Sequence, residues 1–440
     1  MLRQYLVIFL FLSFVIAVVW NITGVSNLYR FLAVLNAGIA TFFLFTYQDR
    51  PYSLHKVVNL FVLFFFVIAN AVQYSTRTNT TTFPLTTLAD DAGAYERFQF
   101  LVLCILVCYN FLYPLFKKAS PVTDTRNMVL SSKRLLLLAF FSLACTIFYY
   151  RNAIPLMFVR GLSDTGEIEM QNLGGGNVGL LLFDKVIRAL SFACLIWAVH
   201  LKHSKTIRVV LFLTMLITLF PTALARNATA MYWMPVLLLL FRFMERKNVF
   251  VLTMLLGLLV IFPFMENFRY WKGDFSSIGL SYDFMNEMHF DASQNFMILL
   301  KLDIVTWGRQ LLGVFLFWLP RSLWESKPIG SGHFVAEQYS DFANISMPFF
   351  AEGYINFGYI GILAFVFFLA WFCAYYDSMY WESRHRSSRI TPYYLLLISS
   401  LLFVLRGDLM SSTAYTFATL FDIYVVSKIS AMNQTCSERG

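Results

Sequence analysis

The chain has 440 residues, of which 58% are hydrophobic and 13% charged, with a formal net charge of +9 and a mean hydropathy of +0.63. That balance lies far outside the range of soluble globular chains and excludes a water-soluble enzyme. What remains is an all-α polytopic membrane protein.

In chain order, apolar runs at 5–20, 28–47, 57–74, 98–116, 135–150, 177–199, 209–222, 230–243, 249–265, 354–376, 391–405 and 412–427 alternate with polar connectors. The longer runs can each cross a hydrocarbon core about 30 Å thick as a helix, so about 12 transmembrane helices are expected in one polytopic domain. Arg3 precedes the first run, but no small-residue cleavage pattern follows Trp20, so this run is read as a retained helix with no soluble domain appended to the chain.

Orientation follows from Lys and Arg, which short cytoplasmic loops carry in excess. With the N-terminus in the cytoplasm, 19 of the 34 basic residues fall inside, and the short outer loops hold Arg77, Arg97, Arg151, Arg160, Arg226 and Arg406. Both termini are then cytoplasmic. Residues 266–353 form one large external loop. Within it the run at 310–320 is too short for a full crossing and suits a re-entrant or interfacial helix. Were it to cross, the basic run ESRHRSSR at 382–389 would face outward, against the bias that orders the rest of the chain.

The stretch FLFWLPRSLWESKPIGSGHF, 315–334, begins as a membrane helix and ends in Arg321, Lys327, His333 and two glycines. Pro320 stops the apolar segment, while Gly330 and Gly332 allow a turn or the close approach of a bound group. A plainer reading has Trp318 and Trp324 anchoring the loop at headgroup level while Arg321 and Lys327 touch lipid phosphates. Tyr270, Trp271, Trp307, Trp318 and Trp324 serve either as stacking platforms for sugars or as such anchors.

Cys104, Cys108, Cys145, Cys194 and Cys373 fall in apolar runs and Cys436 in the C-terminal tail, so the external loops offer no disulfide framework. His289 and His333 are the external histidines and belong to no HExxH or paired-His pattern, so no zinc site is expected. The outer side instead holds single arginines beside the membrane: Arg226 in FPTALARNATAMYW, Arg269 in MENFRYWKGD, Arg321, and Arg406 in VLRGDLMSS. Each is a permanent cation with planar donors suited to phosphate. Pairing with a carboxylate such as Asp408, or with a lipid headgroup, is the simpler account of any one of them. Four at one level fit a shared anionic ligand.

Arg321 followed by ten residues and Gly332 resembles the Arg-x10-Gly pattern of external loops in the Wzy-type O-antigen polymerases, the oligosaccharide repeat-unit polymerases of the bacterial inner membrane. FPTALAR at 220–226, LPRSLWESKP at 319–328 and AEGYINFGYIG at 351–361 are similar to segments of that family, and the resemblance covers about residues 210–412. Neither Arg151 nor Arg160 is followed by glycine at the same interval, so a second such site in the loop 151–176 is not expected.

The resemblance implies glycosyl transfer at the periplasmic face. A growing glycan moves from undecaprenyl diphosphate onto a new lipid-linked repeat unit, with no cofactor and no metal. The implied partners are the lipid-linked donor and acceptor, membrane lipid, a chain-length regulator and a flippase, and no nucleic acid. Diphosphate develops negative charge as it leaves, and fixed arginines can stabilise it without a metal. Arg321 is the candidate for that role, with Arg226, Arg269, Lys327, Gly332 and Arg406 as substrate-binding residues. A base must take the acceptor hydroxyl proton, and His333, Glu352 and Asp291 are the candidates.

Three other readings stay open. An O-antigen ligase would share the donor and differ in acceptor. A metal-dependent lipid-phosphate-sugar transferase would use paired acids such as Asp90 and Asp91 in LADDAG. A polysaccharide flippase or other transporter would explain Asp184, Lys185 and Arg188 within the sixth run, where a local Asp184–Arg188 pair is the simpler account.

Overall fold

Among the described residues the chain is helical, with no strand and one isolated bridge between Leu130 and Ala431. The structure, a computed structural model, describes residues 13, 20, 24–47, 49–77, 88, 91–117, 128–152, 154–159, 186–261, 264, 285–286, 288–339, 345–383 and 389–432. The first apolar run and the start of the sixth lie largely outside these residues.

The helices in chain order are α1 (Asn27–Phe45), α2 (Leu54–Ser75), α3 (Ala92–Leu115), α4 (Ser132–Tyr149), α5 (Leu190–His200), α6 (Lys205–Thr218) and α7 (Arg226–Leu240). They continue with α8 (Val249–Leu256), α9 (Ala292–Leu302), α10 (Arg309–Phe315), α11 (Ser331–Tyr339), α12 (Phe349–Ser383), α13 (Ile390–Arg406) and α14 (Leu409–Ser430). Among the described residues seven are long and apolar enough to cross a membrane: α1 to α4, α6 with the turn after it, α12 and α14. The protein is therefore a helical, polytopic membrane protein. α5 and α13 are shorter apolar helices.

Local sequence explains several starts. Ser26, Ser53, Asp91, Ser204 and Asp408 precede α1, α2, α3, α6 and α14, and each side chain accepts the backbone N–H three residues on. In the middle of α2, residues Val62–Ile68 widen into a π-helix. The Phe66 carbonyl there accepts from Gln99 Nε2 of α3 at 2.8 Å, so an acceptor within the apolar core is met by a neighbouring helix.

Contacts sort the connectors to two ends of the bundle. At one end Asp377 of α12 accepts the backbone N–H groups of Leu54 and His55 at 2.9 and 3.2 Å and the hydroxyl of Tyr113 at 2.8 Å. The Tyr394 hydroxyl also donates to Asp377, while Arg50 donates to Tyr113 and Ser378. The bridge between Leu130 and Ala431 joins the start of α4 to the end of α14. At the other end Arg77 meets the Gly24 carbonyl, Thr76 meets Asn286, and Lys301 pairs with Asp91.

The described part of 266–353 gathers at this second end and descends into the bundle. Phe290, just before α9, stacks on Phe65 in the middle of α2 at 5.2 Å, and α9 rises from there past Asn70 to Lys301 beside Asp91. α12 is bent: Phe357 and Gly358 leave helical geometry, and Gly358 takes φ +63°, which glycine adopts freely. Its first arm, 349–356, folds back along the second, with Phe349 and Phe365 at 4.9 Å and Gly353 against the Gly361 backbone. A Cβ on Gly353 would lie 2.8 Å from the Gly361 carbonyl oxygen, so the two arms touch where only glycine fits. Phe349 thus starts roughly 12 Å below the bend, at 1.5 Å per residue. Two short helices therefore begin inside the bundle and run outward.

Candidate functional site

The loop is held by three carboxylates, each at the start of a helix. Asp291 precedes α9 and is buried; it accepts from Ser346 Oγ at 2.6 Å, Ser346 N at 3.3 Å and Asn295 Nδ2 at 2.7 Å. Asn295 also donates to the Ser346 carbonyl at 2.8 Å, so the starts of α9 and of the inner arm of α12 are tied together. Arg406, at the end of α13, places Nη2 3.4 Å from Asp291 Oδ1 and donates from Nε to the His289 carbonyl at 2.7 Å. The expected partner Asp408 is otherwise engaged. Its carboxylate accepts Ser411 N at 3.0 Å and Gly332 N at 3.1 Å, bridging the starts of α14 and α11.

Glu352, on the inner arm of α12, completes this arrangement. It is fully buried, and its two oxygens accept Leu409 N at 3.0 Å and Ser331 Oγ at 2.7 Å. Arg406, Asp408 and Glu352 thus fasten the Gly330–Gly332 turn and the base of α9 to the top of α13 and α14. Tyr394 marks the opposite end of α13, and Arg406 lies roughly 18 Å beyond it along the helix axis. Since α2 continues for roughly 32 Å from Leu54, this site is recessed below the mouth of the bundle.

The remaining candidates lie on the segment between α10 and α11. Lys327 donates from Nζ to the Phe317 and Leu319 carbonyls at 2.6 and 2.8 Å. Burial, then the neighbouring Arg321 charge, push its ammonium pKa below the usual lysine value. Arg321 is exposed and donates from Nη1 to the Lys327 carbonyl at 2.9 Å. Next to them opens a cleft of about 260 Å³, with Arg309, Gln310, Ser326, Lys327 and Phe334 among its lining residues. His333 follows Gly332 on α11, partly exposed, with Nε2 3.0 Å from Glu337 Oε1.

The structure therefore brings Gly332 and Glu352 together through Asp408 and Ser331, pairs Asp291 with Arg406, and sets Arg321 against Lys327. Arg226 opens α7, whose Met231 carbonyl accepts from Ser399 of α13 at 2.9 Å, in the half of α13 nearer Arg406. Arg269, Tyr270 and Trp271 lie outside the described residues.

The structure places two of the other charged groups. Arg188 lies in a turn before α5 and donates to the Thr218 carbonyl at 3.0 Å and the Tyr150 hydroxyl at 3.2 Å; Asp184 and Lys185 lie outside the described residues. Asp91 of LADDAG caps α3 and pairs with Lys301 at 2.9 Å, and this hydrogen bond holds its carboxyl below the usual range; Asp90 lies outside the described residues. Among the described residues no group of three or more His, Cys, Asp or Glu side chains is placed to hold a metal ion.

Sequence reasoning missed Ser331, Asn295, Ser346 and the bridging role of Asp408. The available signal was the alternation of small polar residues with glycine in PIGSGH and the Gly-Asp pair after Arg406 in VLRGDL. Compared with protein-family models, curated proteins and solved structures, the chain matches none.

Proposed function

We propose that this protein is a membrane glycosyltransferase that polymerises undecaprenyl-diphosphate-linked repeat units into O-antigen or a related surface polysaccharide at the periplasmic face of a bacterial inner membrane. The observation that carries this reading is the fastening of the Arg321–Gly332 segment to the ends of α13 and α14 by Asp408 and Glu352. It leaves Arg309 and Arg321 exposed beside an open cleft at one end of a membrane bundle.

In this reading the anomeric carbon–oxygen bond to the diphosphate breaks as the acceptor hydroxyl oxygen bonds to the same carbon. The electron pair leaves on the diphosphate, where the Arg321 guanidinium meets the growing charge. The acceptor proton passes to His333, whose ring is oriented by the Glu337 carboxylate. Glu352 and Asp291 position the loop, because their oxygens already take hydrogen bonds from Leu409, Ser331, Ser346 and Asn295. No step requires a metal ion or a cofactor.

Deleting the gene in its host and inspecting the surface polysaccharide tests the reading. A lipid A core capped by single repeat units is the expected result. Bare core with accumulating lipid-linked polymer would instead assign ligation, and unchanged polymer would remove the chain from this chemistry.

A further inference from the structure

We infer that residues 309–327 form a hairpin that inserts into the bilayer leaflet at the end where α14 begins, with Leu312, Phe315, Trp318 and Leu323 packed against lipid acyl chains. This is independent of the proposed reaction. These four side chains are 49%, 69%, 67% and 75% exposed, although each is large and apolar. Water would disfavour so much exposed apolar surface in one short segment; acyl chains cover it at no cost.

The hairpin is seated against the side of α14. A Cβ on Gly313 would come 2.5 Å from Pro328 Cγ and 2.7 Å from Met410 Cε, so α10 packs closely on the returning segment of the hairpin and on the Met410 side chain in the first turn of α14. Phe317 then meets Phe417 with ring centroids 5.9 Å apart. Phe417 lies roughly 12 Å along α14 from Leu409, so the hairpin runs beside the helix for about two turns. Phe417 and the following Phe421 are themselves 56% and 49% exposed on a helix apolar enough to cross a membrane. The exposed apolar face of the hairpin therefore continues the lipid-facing surface of α14.

The backbone is built for that setting. Helix α10 ends at Phe315, and the next carbonyls would face hydrocarbon without water to satisfy them. Lys327 Nζ takes the Phe317 and Leu319 carbonyls at 2.6 and 2.8 Å, and Arg321 takes the Lys327 carbonyl at 2.9 Å. A loop in water would need no such internal donors. The exposed charges of Arg309, Arg321 and Glu325 can reach headgroup phosphates and water by extending along the hairpin.

The test is a nitroxide placed by Leu323→Cys in a background with the six native cysteines replaced, reconstituted in phosphatidylglycerol–phosphatidylethanolamine vesicles. Power saturation should show collision with oxygen exceeding that with a water-soluble nickel chelate several-fold, matching a label at Phe417→Cys. Nickel collisions exceeding oxygen collisions would place the hairpin in water and overturn the proposal. Low collision with both would mean that protein covers the face, a second copy or a partner, and would overturn it equally. If the cysteine-free background does not fold, brominated lipids can quench the fluorescence of the otherwise native chain. The part of the signal lost in Trp318→Phe should be quenched by bromine and spared by iodide, and the reverse pattern would overturn the insertion.

Discussion

Asp408 Oδ2 accepts the backbone N–H of Gly332 at 3.1 Å, and a Cβ on Gly330 would fall 2.5 Å from the same oxygen. The two glycines therefore let the loop backbone close on a carboxylate that also caps α14 through Ser411. Gly330→Ala should force the turn away from Asp408 and cost about 1–3 kcal/mol, the usual range for overpacking a tight site. Asp408→Ala removes a cap as well as the bridge, and the cap alone is worth about 0.5–2 kcal/mol. Thermal unfolding in detergent should show both losses, and an unchanged midpoint in Gly330→Ala would refute the closeness of this contact.

Glu352 separates positioning from chemistry. Glu352→Gln retains an oxygen for Leu409 N–H, and its amide can donate to Ser331 Oγ, so the fold should be kept. Glu352→Ala leaves a buried N–H and a hydroxyl without their acceptor, at about 1–3 kcal/mol. If Glu352 only positions the loop, polymer formation per folded protein in Glu352→Gln should stay within roughly threefold of wild type, about 0.6 kcal/mol of barrier. A loss of a hundredfold or more with an unchanged unfolding midpoint would make Glu352 a group that transfers the proton.

Much of the helical frame is legible in the sequence, since a membrane helix is written as one continuous apolar run. Runs read at 57–74 and 135–150 appear as Leu54–Ser75 and Ser132–Tyr149, with the extra residues supplied by caps and end turns. The bend at Phe357 and Gly358 is different, because an apolar run looks the same whether straight or folded back. The polar contacts were harder still. Asp377 meets Leu54 across 323 positions and Asp408 meets Gly332 across 76, and no local pattern records which helix end a buried carboxylate will take. Arg406 illustrates the limit: the sequence offered Asp408 two residues away, but the chain turns that carboxylate toward α11, and Asp291 takes the arginine.

Asp91 and Lys301 give a pH-dependent link between α3 and α9. The Asp91 carboxyl is held below its ordinary value, first by the Lys301 hydrogen bond, so the folded state binds its proton less tightly than the unfolded state. Its stabilisation is present above the ordinary carboxylate pKa and is lost as pH falls through the depressed folded value. Asp91→Asn keeps a competent cap and removes only the charge. Because both side chains are partly exposed, the difference from wild type at neutral pH should be below about 1 kcal/mol. Unfolding midpoints compared between about pH 7 and pH 3 should show this difference shrinking toward zero; a difference that grows with acidity would contradict the pairing.

The orientation proposed from Lys and Arg can be read with thiols. Glu337 is exposed on α11, so Glu337→Cys should react with a membrane-impermeant maleimide in intact spheroplasts, while Cys436 in the C-terminal tail should react only after lysis. Labelling of Cys436 alone in intact spheroplasts would invert the orientation and remove the external reading of the loop.

Arg321 decides whether the Arg321–Gly332 segment binds phosphate or only anchors the loop. Its guanidinium donates once to the Lys327 carbonyl and is otherwise exposed. A charge-assisted contact to phosphate is worth about 1.5–3 kcal/mol, so Arg321→Ala should slow transfer by roughly ten- to a hundredfold if the residue meets diphosphate. Arg321→Lys keeps the charge but not the planar fork that can hold the Lys327 carbonyl and a phosphate oxygen together, and should recover only part of the rate. An anchoring role makes different demands. Lysine would then substitute almost fully, and alanine would lower the amount of folded protein rather than its turnover. Polymer formed per folded protein, measured for both variants in detergent with purified lipid-linked repeat units, distinguishes them. Normal turnover in Arg321→Ala would take this residue out of the site and leave Arg309, on the wall of the neighbouring cleft, as the next cation to test.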